Sequence, residues 1–162
     1  MKIQHIEASD YFQVSKIYLE GIATGVATFQ TDSQTWEEWD KSHLSYCRST
    51  MMDNEKMLGW AALSPVSSRC VYGGVAELSI YISENARGKG IGTYLLSELI
   101  KESELRGLWT LQSGILPENI GSIALHEKCG FRKIGYREKI GKLHGVWKDN
   151  IIMERRSKIV GL

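Results

Sequence analysis

The chain has no long apolar run, no excess of either charge and no paired cysteines, and each of these lacks removes a class of function. Without a stretch of about 18 apolar residues, no membrane-spanning helix is expected. Twenty Lys and Arg against 19 Asp and Glu provide no field to recruit nucleic acid or an anionic membrane surface. Cys47, Cys70 and Cys129 are odd in number and far apart, and no C-x-x-C pair is present, so neither a zinc knuckle nor a disulfide framework is indicated. His5, His43 and His144 show no metal-ligand spacing, and no metal is expected. The N-terminal "MKIQHIEASD" lacks a signal-peptide core, so a cytoplasmic protein with reduced thiols is expected. There is no internal repeat, and 162 residues suit one domain with a full core.

What is present is a succession of strand and helix signals. "KIQHI" alternates as a short strand. Ser9 or Asp10 is placed to cap a helix bearing Phe12, Val14, Ile17, Tyr18 and Ile22, which fails near Gly21 and Gly25. "ATFQT" is β-prone. "TWEE" fits a capping box in which Thr35 and Glu38 serve each other's backbone donors, predicting a second helix to about Cys47. "MDNEKM" reads as a hairpin turn into the strand "MLGWAALS", which Pro65 ends. After a loop, "VAELSIYI" is a strand. The helix from Gly90 presents Ile91, Leu95, Leu96, Leu99 and Ile100 on one side and stops at Gly107. "LWTLQSGI" is a strand, and "PENIGSIALHEKCG" is a helix with Asn119 near its start and Gly130 just past its end. "FRKIGYRE" and "VWKDNIIMER" complete the chain as strands. The order β-α-α-β-β-β-α-β-α-β-β describes a mixed α/β domain over residues 1–156, with 157–162 a short tail.

The stretch "SENARGKGIG" at residues 83–92 is the strongest chemical signal. It is not a Walker A loop, because Gly88-Lys89 is followed by Gly90 and no glycine stands five residues before Gly88. It is not a dinucleotide fingerprint, because Gly88, Gly90 and Gly92 space as G-x-G-x-G and the sixth position is Thr93. What remains is a strand, a glycine turn with Arg87 and Lys89, and an amphipathic helix. Free amides at a helix N-terminus, a positive dipole end and two cations suit a phosphate or pyrophosphate. A tight turn with two solvated cations is the alternative.

Arg87, Gly90 and Gly92 read as R-x-x-G-x-G, which resembles the coenzyme A pyrophosphate loop of the GNAT acetyltransferase superfamily. Downstream, "ENIGSIALHEKCGF" resembles that superfamily's second signature, N-x-x-S-x-x-L-x-E-x-x-G-F, at Asn119, Ser122, Leu125, Glu127, Gly130 and Phe131. Two signatures in order are far more specific than either alone. A narrower resemblance joins "ATFQTDSQTWEEW", "GWAALSPVSSRCVYGGVAELSIYI" and "KLHGVWKDNIIM" to the phosphinothricin and methionine sulfone or sulfoximine acetyltransferases. That group carries a bulky aromatic after the Pro of "SP", where this chain has Val66, while Arg69, Tyr72 and Glu77 are in place.

The resemblance implies a GNAT fold, with a central, mostly antiparallel twisted sheet flanked by helices, and acetyl-CoA as co-substrate. It implies that Arg87, Gly88, Lys89, Gly90, Ile91, Gly92 and Thr93 grip the pyrophosphate. Ser79, Ile80 and Tyr81 would offer backbone groups to the pantetheine where "LSIYI" splays from "LWTLQSGI", and Asn119 would reach its side. Glu77 corresponds to the group's proposed general base, and partial burial there would suit that task; a glutamate on a solvated strand face is the alternative. His126 stands where many relatives carry a proton-donating Tyr. It is placed to protonate the departing thiolate or share the base role, or else is a half-exposed helical histidine. Arg69 would pair with an acceptor carboxylate, or else is a solvated loop arginine, and Phe29 and Tyr72 would wall the acceptor pocket, with core packing the alternative for Phe29. Cys129 sits three residues from His126 on a helix that should carry it toward the core, and no G-x-S-x-G elbow exists, so direct attack without an acyl-enzyme is expected. The expected acceptor is a small amino-acid-like amine. The alternatives are another amine, such as a polyamine, an aminoglycoside or a protein N-terminus, or an acyl-CoA sensor without catalysis. The group commonly forms homodimers, and "NIIME" is an expected contributor to such an interface.

Overall fold

A computed structural model describes all 162 residues. Strands β1 (Lys2–His5), β2 (Arg48–Asp53), β3 (Lys56–Pro65), β4 (Val75–Ile82), β5 (Thr110–Ile115), β6 (Arg132–Leu143) and β7 (Val146–Arg156) form one sheet. Helices α1 (Tyr11–Ala23), α2 (Trp36–Ser42), α3 (Ile91–Leu105) and α4 (Ile120–Lys128) cover it. The strand order is β1-β2-β3-β4-β5-β7-β6, and every neighbouring pair is antiparallel except β4 with β5. The expected element order and the mostly antiparallel sheet are both found.

Strand alternation splits the side chains between two faces. On one face, Ala76, Leu78, Leu111, Ile115, Ile151 and Met153 pack against the α3 stripe of Leu95, Leu96, Leu99 and Ile100. On the other, Trp60, Ala62 and Met57 meet Val14 and Ile17 of α1 and Trp39 of α2. The α3 stripe is therefore the one its spacing predicts. Gly107 (φ 81°) and Gly130 (φ 89°) adopt the left-handed conformation just beyond α3 and α4, a geometry that glycine accepts without strain.

Several local expectations need correction. Phe12 is 81% exposed, because α1 turns Val14, Ile17 and Gly21 to the sheet instead. Neither Ser9 nor Asp10 caps α1 through its side chain; Asp10 Oδ2 accepts from the Glu7 amide and closes the short 3-10 turn Ala8–Asp10. "ATFQT" is a loop and joins no strand of the sheet. The capping box is present, with Thr35 Oγ1 accepting from Glu38 N at 3.2 Å and Glu38 Oε2 from Thr35 N at 2.9 Å. The helix it starts ends at Ser42, because Arg48 already belongs to β2. The "NIIME" segment is interior to the sheet, between β5 and β6, with Ile151 and Met153 buried in the core. The exposed apolar side chains of this region are instead Ile134, Tyr136 and Ile140 on the edge strand β6, with Val146 and Trp147 at the start of β7.

Candidate active site

The parallel pairing of β4 with β5 covers three residue pairs only: Val75 with Thr110, Ala76 with Leu111, and Glu77 with Gln112. Beyond Glu77 the strands part. Ser79, Ile80, Tyr81 and Ile82 keep their β3 partners on one side and have no ladder partner on the other. The seam opens into a cleft of about 1190 Å³, larger than a usual small-molecule pocket and roomy enough for a cofactor-sized ligand together with a second reactant.

The glycine turn forms one end of this cleft. The chain leaves β4, makes the 3-10 turn Glu84–Ala86, and enters α3 through Gly88 (φ 74°) and Gly90 (φ 79°). A Cβ at either glycine would meet nothing within 4 Å, so it is the backbone conformation and not crowding that requires glycine there. Gly92 differs, since its Cβ would lie 3.1 Å from Leu125 Cδ2, and the missing side chain lets α3 and α4 approach. Gly90 caps α3 without any side-chain acceptor, and Tyr94 N makes the first helical bond, to Gly90 O at 3.2 Å. The amides ahead of it have no intrahelical acceptor and face an open cradle. Arg87, Gly88, Gly90, Ile91, Gly92 and Thr93 line the cleft. Lys89 does not; its Nζ donates to Asn85 O at 2.8 Å, off the cleft. A cradle of free amides, a helix dipole and the Arg87 cation fit a pyrophosphate, and the unpaired β4 backbone fits an extended amide-bearing arm.

Ser79, Ile80 and Tyr81 line the next part of the cleft. The Tyr81 ring lies edge-on to Tyr18 at 4.9 Å and 5.1 Å from Trp60, and burial raises the pKa of its hydroxyl. Glu77 sits at the last paired position before the strands part. It is exposed to the cleft, not partly buried as expected, because alternation turns its side chain away from the core face of Ala76 and Leu78.

Asn119 caps α4, with Oδ1 accepting from Ser122 N at 3.3 Å, and also lines the cleft, so capping leaves its amide NH2 free. His126 lines the cleft and is 1% exposed, so it is not the half-exposed helical histidine of the alternative reading. Its Nδ1–H donates to Ser122 O at 2.7 Å, and Phe131 stands edge-on at 5.0 Å. Burial lowers its pKa, with the Ser122 bond opposing, which favours the neutral ring, and with Nδ1–H on Ser122 O its Nε2 has no partner in the protein. A proton donor to sulfur at this position meets that physical objection. Phe29 reaches the cleft from the α1–α2 loop and lies over Gly141 of β6, where a Cβ would come within 3.1 Å of its ring. Arg69 and Tyr72 do not line the cleft. They are exposed on the turn before β4, with the guanidinium 5.6 Å from the Tyr72 ring centroid. Asn150, Gly114 and Arg137 also reach the cleft. Sequence reasoning passed over them, because only the register of β5, β6 and β7 brings them there.

No cysteine lines the cleft. Burial pushes the Cys47 thiol up to about 12 and raises that of Cys129, whose Sγ lies 3.9 Å from Thr93 O. No three His, Cys, Asp or Glu side chains gather as a metal site would require. No helix is long and apolar enough to cross a membrane.

A split mixed sheet with a glycine turn and a helix N-terminus beside the split has the geometry of a cofactor-binding α/β fold. Residues 5–131 match the acetyltransferase (GNAT) family, and the chain belongs to that family. It is 28% identical over 160 residues to an L-methionine sulfoximine/L-methionine sulfone acetyltransferase of Salmonella typhimurium, covering 95% of this chain and 93% of that one. The crystal structure of a phosphinothricin acetyltransferase from Sinorhizobium meliloti in complex with AcCoA superposes with a TM-score of 0.88 at 30% identity, over 99% of this chain and 90% of that one. A ribosomal-protein-alanine N-acetyltransferase structure from Brucella melitensis also superposes with a TM-score of 0.88, at 28% identity over 97% and 100% of the two chains. The protein is therefore an acetyltransferase.

Proposed function

We propose that this enzyme moves the acetyl group of acetyl-CoA to the amine of a small amino-acid-like acceptor, of the phosphinothricin or methionine sulfone and sulfoximine type. The observation that carries the reading is the placement of Glu77 at the point where β4 and β5 separate, in the same cleft as the glycine turn. The turn amides and Arg87 hold the pyrophosphate, and the open edge of Ser79–Tyr81 holds the pantetheine. Acetyl-CoA then presents its thioester carbonyl beside Glu77. The Glu77 carboxylate accepts a proton from the acceptor ammonium, directly or through one water. The freed amine attacks the carbonyl, the C–N bond forms, the C–S bond breaks, the nitrogen's second proton passes to solvent, and solvent protonates the thiolate. With no activated thiol in the cleft, transfer is direct.

A protein N-terminus is the second reading, which the likeness to the ribosomal-protein-alanine acetyltransferase favours. Turnover of acetyl-CoA measured across free amino acids, their decarboxylated amines, polyamines, aminoglycosides and alanine-initiated peptides tests the assignment. Selective use of methionine sulfone or phosphinothricin is the expected result. Preference for the peptides would replace the acceptor, and no turnover at all would leave an acyl-CoA sensor. The reading extends to a cytoplasmic enzyme, supported by three unpaired thiols, and to a homodimer, supported by the exposed apolar edge of β6.

A further inference from the structure

The sheet face that carries Glu77 also carries two polar side chains with no role in the scheme above. Asn150 of β7 is only 9% exposed and lines the cleft, yet its carboxamide makes no hydrogen bond within the protein. A carboxamide that faces a binding cleft without a protein partner is free to donate to and accept from a ligand. Room for it is built into β5, where a Cβ on Gly114 would lie 3.1 Å from Asn150 Nδ2 and 3.2 Å from Oδ1. Arg137 of β6 stands directly opposite Asn150 in the antiparallel ladder, which sets the two side chains side by side on one face. Arg137 lines the same cleft and takes part in none of the six ion pairs.

That face is the acceptor's side of the sheet. Ile151 and Met153 point into the core, so Asn150 and Ile152 point the other way, as do Gln112 and Gly114 on β5 and Glu77 on β4. Gly114 lies on the strand next to Glu77, two residues beyond Glu77's partner Gln112, and the Asn150 carboxamide lies over it. The Glu77 carboxylate and the Asn150 carboxamide thus face the same cleft from one face of the sheet. Arg69, by contrast, lies outside the cleft.

We propose that Arg137 and Asn150 form the anchor for the acceptor's carboxylate, the guanidinium and carboxamide N–H groups donating to its two oxygens while the amine turns toward Glu77. This rests on the amino-acid reading of the acceptor given above. The anchor makes the enzyme selective for amines that carry an adjacent carboxylate.

The test compares L-methionine sulfone with its decarboxylated amine, 3-(methylsulfonyl)propylamine, on the wild type and on Arg137→Ala, Asn150→Ala, Asn150→Asp and Arg69→Ala. Circular dichroism checks each fold, and Asn150→Asp preserves the packing over Gly114 if the alanine variant does not fold. Arg137→Ala is expected to raise KM for the sulfone amino acid about tenfold to a hundredfold, the loss of a charge-assisted pair. KM for acetyl-CoA and turnover of the decarboxylated amine should stay unchanged. Asn150→Asp sets a like charge against the carboxylate and should impair the amino acid more than Asn150→Ala does. Equal losses on both acceptors, or a carboxylate-selective loss confined to Arg69→Ala, would overturn the proposal. A wild type that uses both acceptors equally well overturns the anchor and leaves the acetyltransferase reading standing. A wild type that uses neither, while acetylating other amines, overturns the amino-acid reading and the anchor with it.

Discussion

Gly21 of α1 faces the Tyr81 ring of β4 so closely that a Cβ on Gly21 would lie 2.8 Å from Cδ1 and 3.0 Å from Cε1 of the ring. The glycine is inside a helix, where alanine would ordinarily be better by about 1 kcal/mol. Here the overlap decides the sign, because Tyr18 and Trp60 fix the ring from its other sides and overpacking costs about 1–3 kcal/mol. Gly21→Ala should therefore lower the urea midpoint. Because Tyr81 lies on the cofactor side of the seam, the variant should also weaken acetyl-CoA binding. A more stable variant would show that the ring yields freely.

The glycine turn makes a different demand. Gly90 holds φ at 79°, so Gly90→Val places a β-branched residue in the left-handed region, at a cost of roughly 1–2 kcal/mol in backbone strain, without any clash inside the protein. Combined with Arg87→Ala, it should cut acetyl-CoA affinity in isothermal titration and leave the circular dichroism spectrum unchanged. Unaltered affinity in the folded variant would mean that the turn does not hold the pyrophosphate.

Glu77→Gln keeps the size of the side chain but cannot take a proton. Loss of a general base costs about a hundredfold to ten-thousandfold in rate. The deficit should shrink as pH rises, because more free amine is then supplied by bulk solvent, and acetyl-CoA affinity should hardly move. A variant with the wild-type rate at neutral pH would remove Glu77 from the mechanism.

Burial lowers the pKa of both His126 and His43, each also held by a backbone carbonyl, Ser122 O at 2.7 Å and Trp39 O at 2.6 Å. A histidine whose folded pKa lies below its ordinary value of about 6.5 takes up its proton more readily when unfolded. Stability from these two sites is therefore full above about pH 6.5 and is lost as pH falls from there toward the folded values. His126→Phe, which keeps an aromatic ring against Phe131, should flatten the fall in melting temperature between pH 7.5 and 5. An unchanged slope would mean that His126 does not report on acid unfolding.

Local chemistry was readable wherever a few adjacent residues determine the outcome. Thr35 with Glu38, the α3 stripe, the positive-φ Gly107 and Gly130, and the Asn119 cap all satisfy their own neighbourhood and all appear where the spacing puts them. Phe12 misled because it falls beside the apolar positions of α1, and only the packing of that helix on β3 and β4 decides which of them face inward. The exposure of Glu77 and the burial of His126 depend on which sheet face and which helix face are covered, and neither is written in spacing. Arg137 and Asn150 lie on different strands, with a register shift between Arg137 and Gly141, so no sequence window contains their adjacency.

Three residue pairs between β4 and β5 are all that stitch the seven strands into one sheet, so the domain has a fault line. On one side lies the meander β1–β4, and on the other β5 with the β6–β7 hairpin. A ligand arm that hydrogen-bonds to the edge of Ser79–Ile82 takes the place of a missing rung and braces the two halves against each other. Saturation at a hundred times Kd then adds about 2.7 kcal/mol to the stability of the whole domain. The same occupancy should slow deuterium uptake on both banks of the seam, including strands that the ligand never touches. In this architecture the co-substrate is also a mechanical component, and stiffness of the sheet becomes a direct readout of whether the enzyme is charged with its donor.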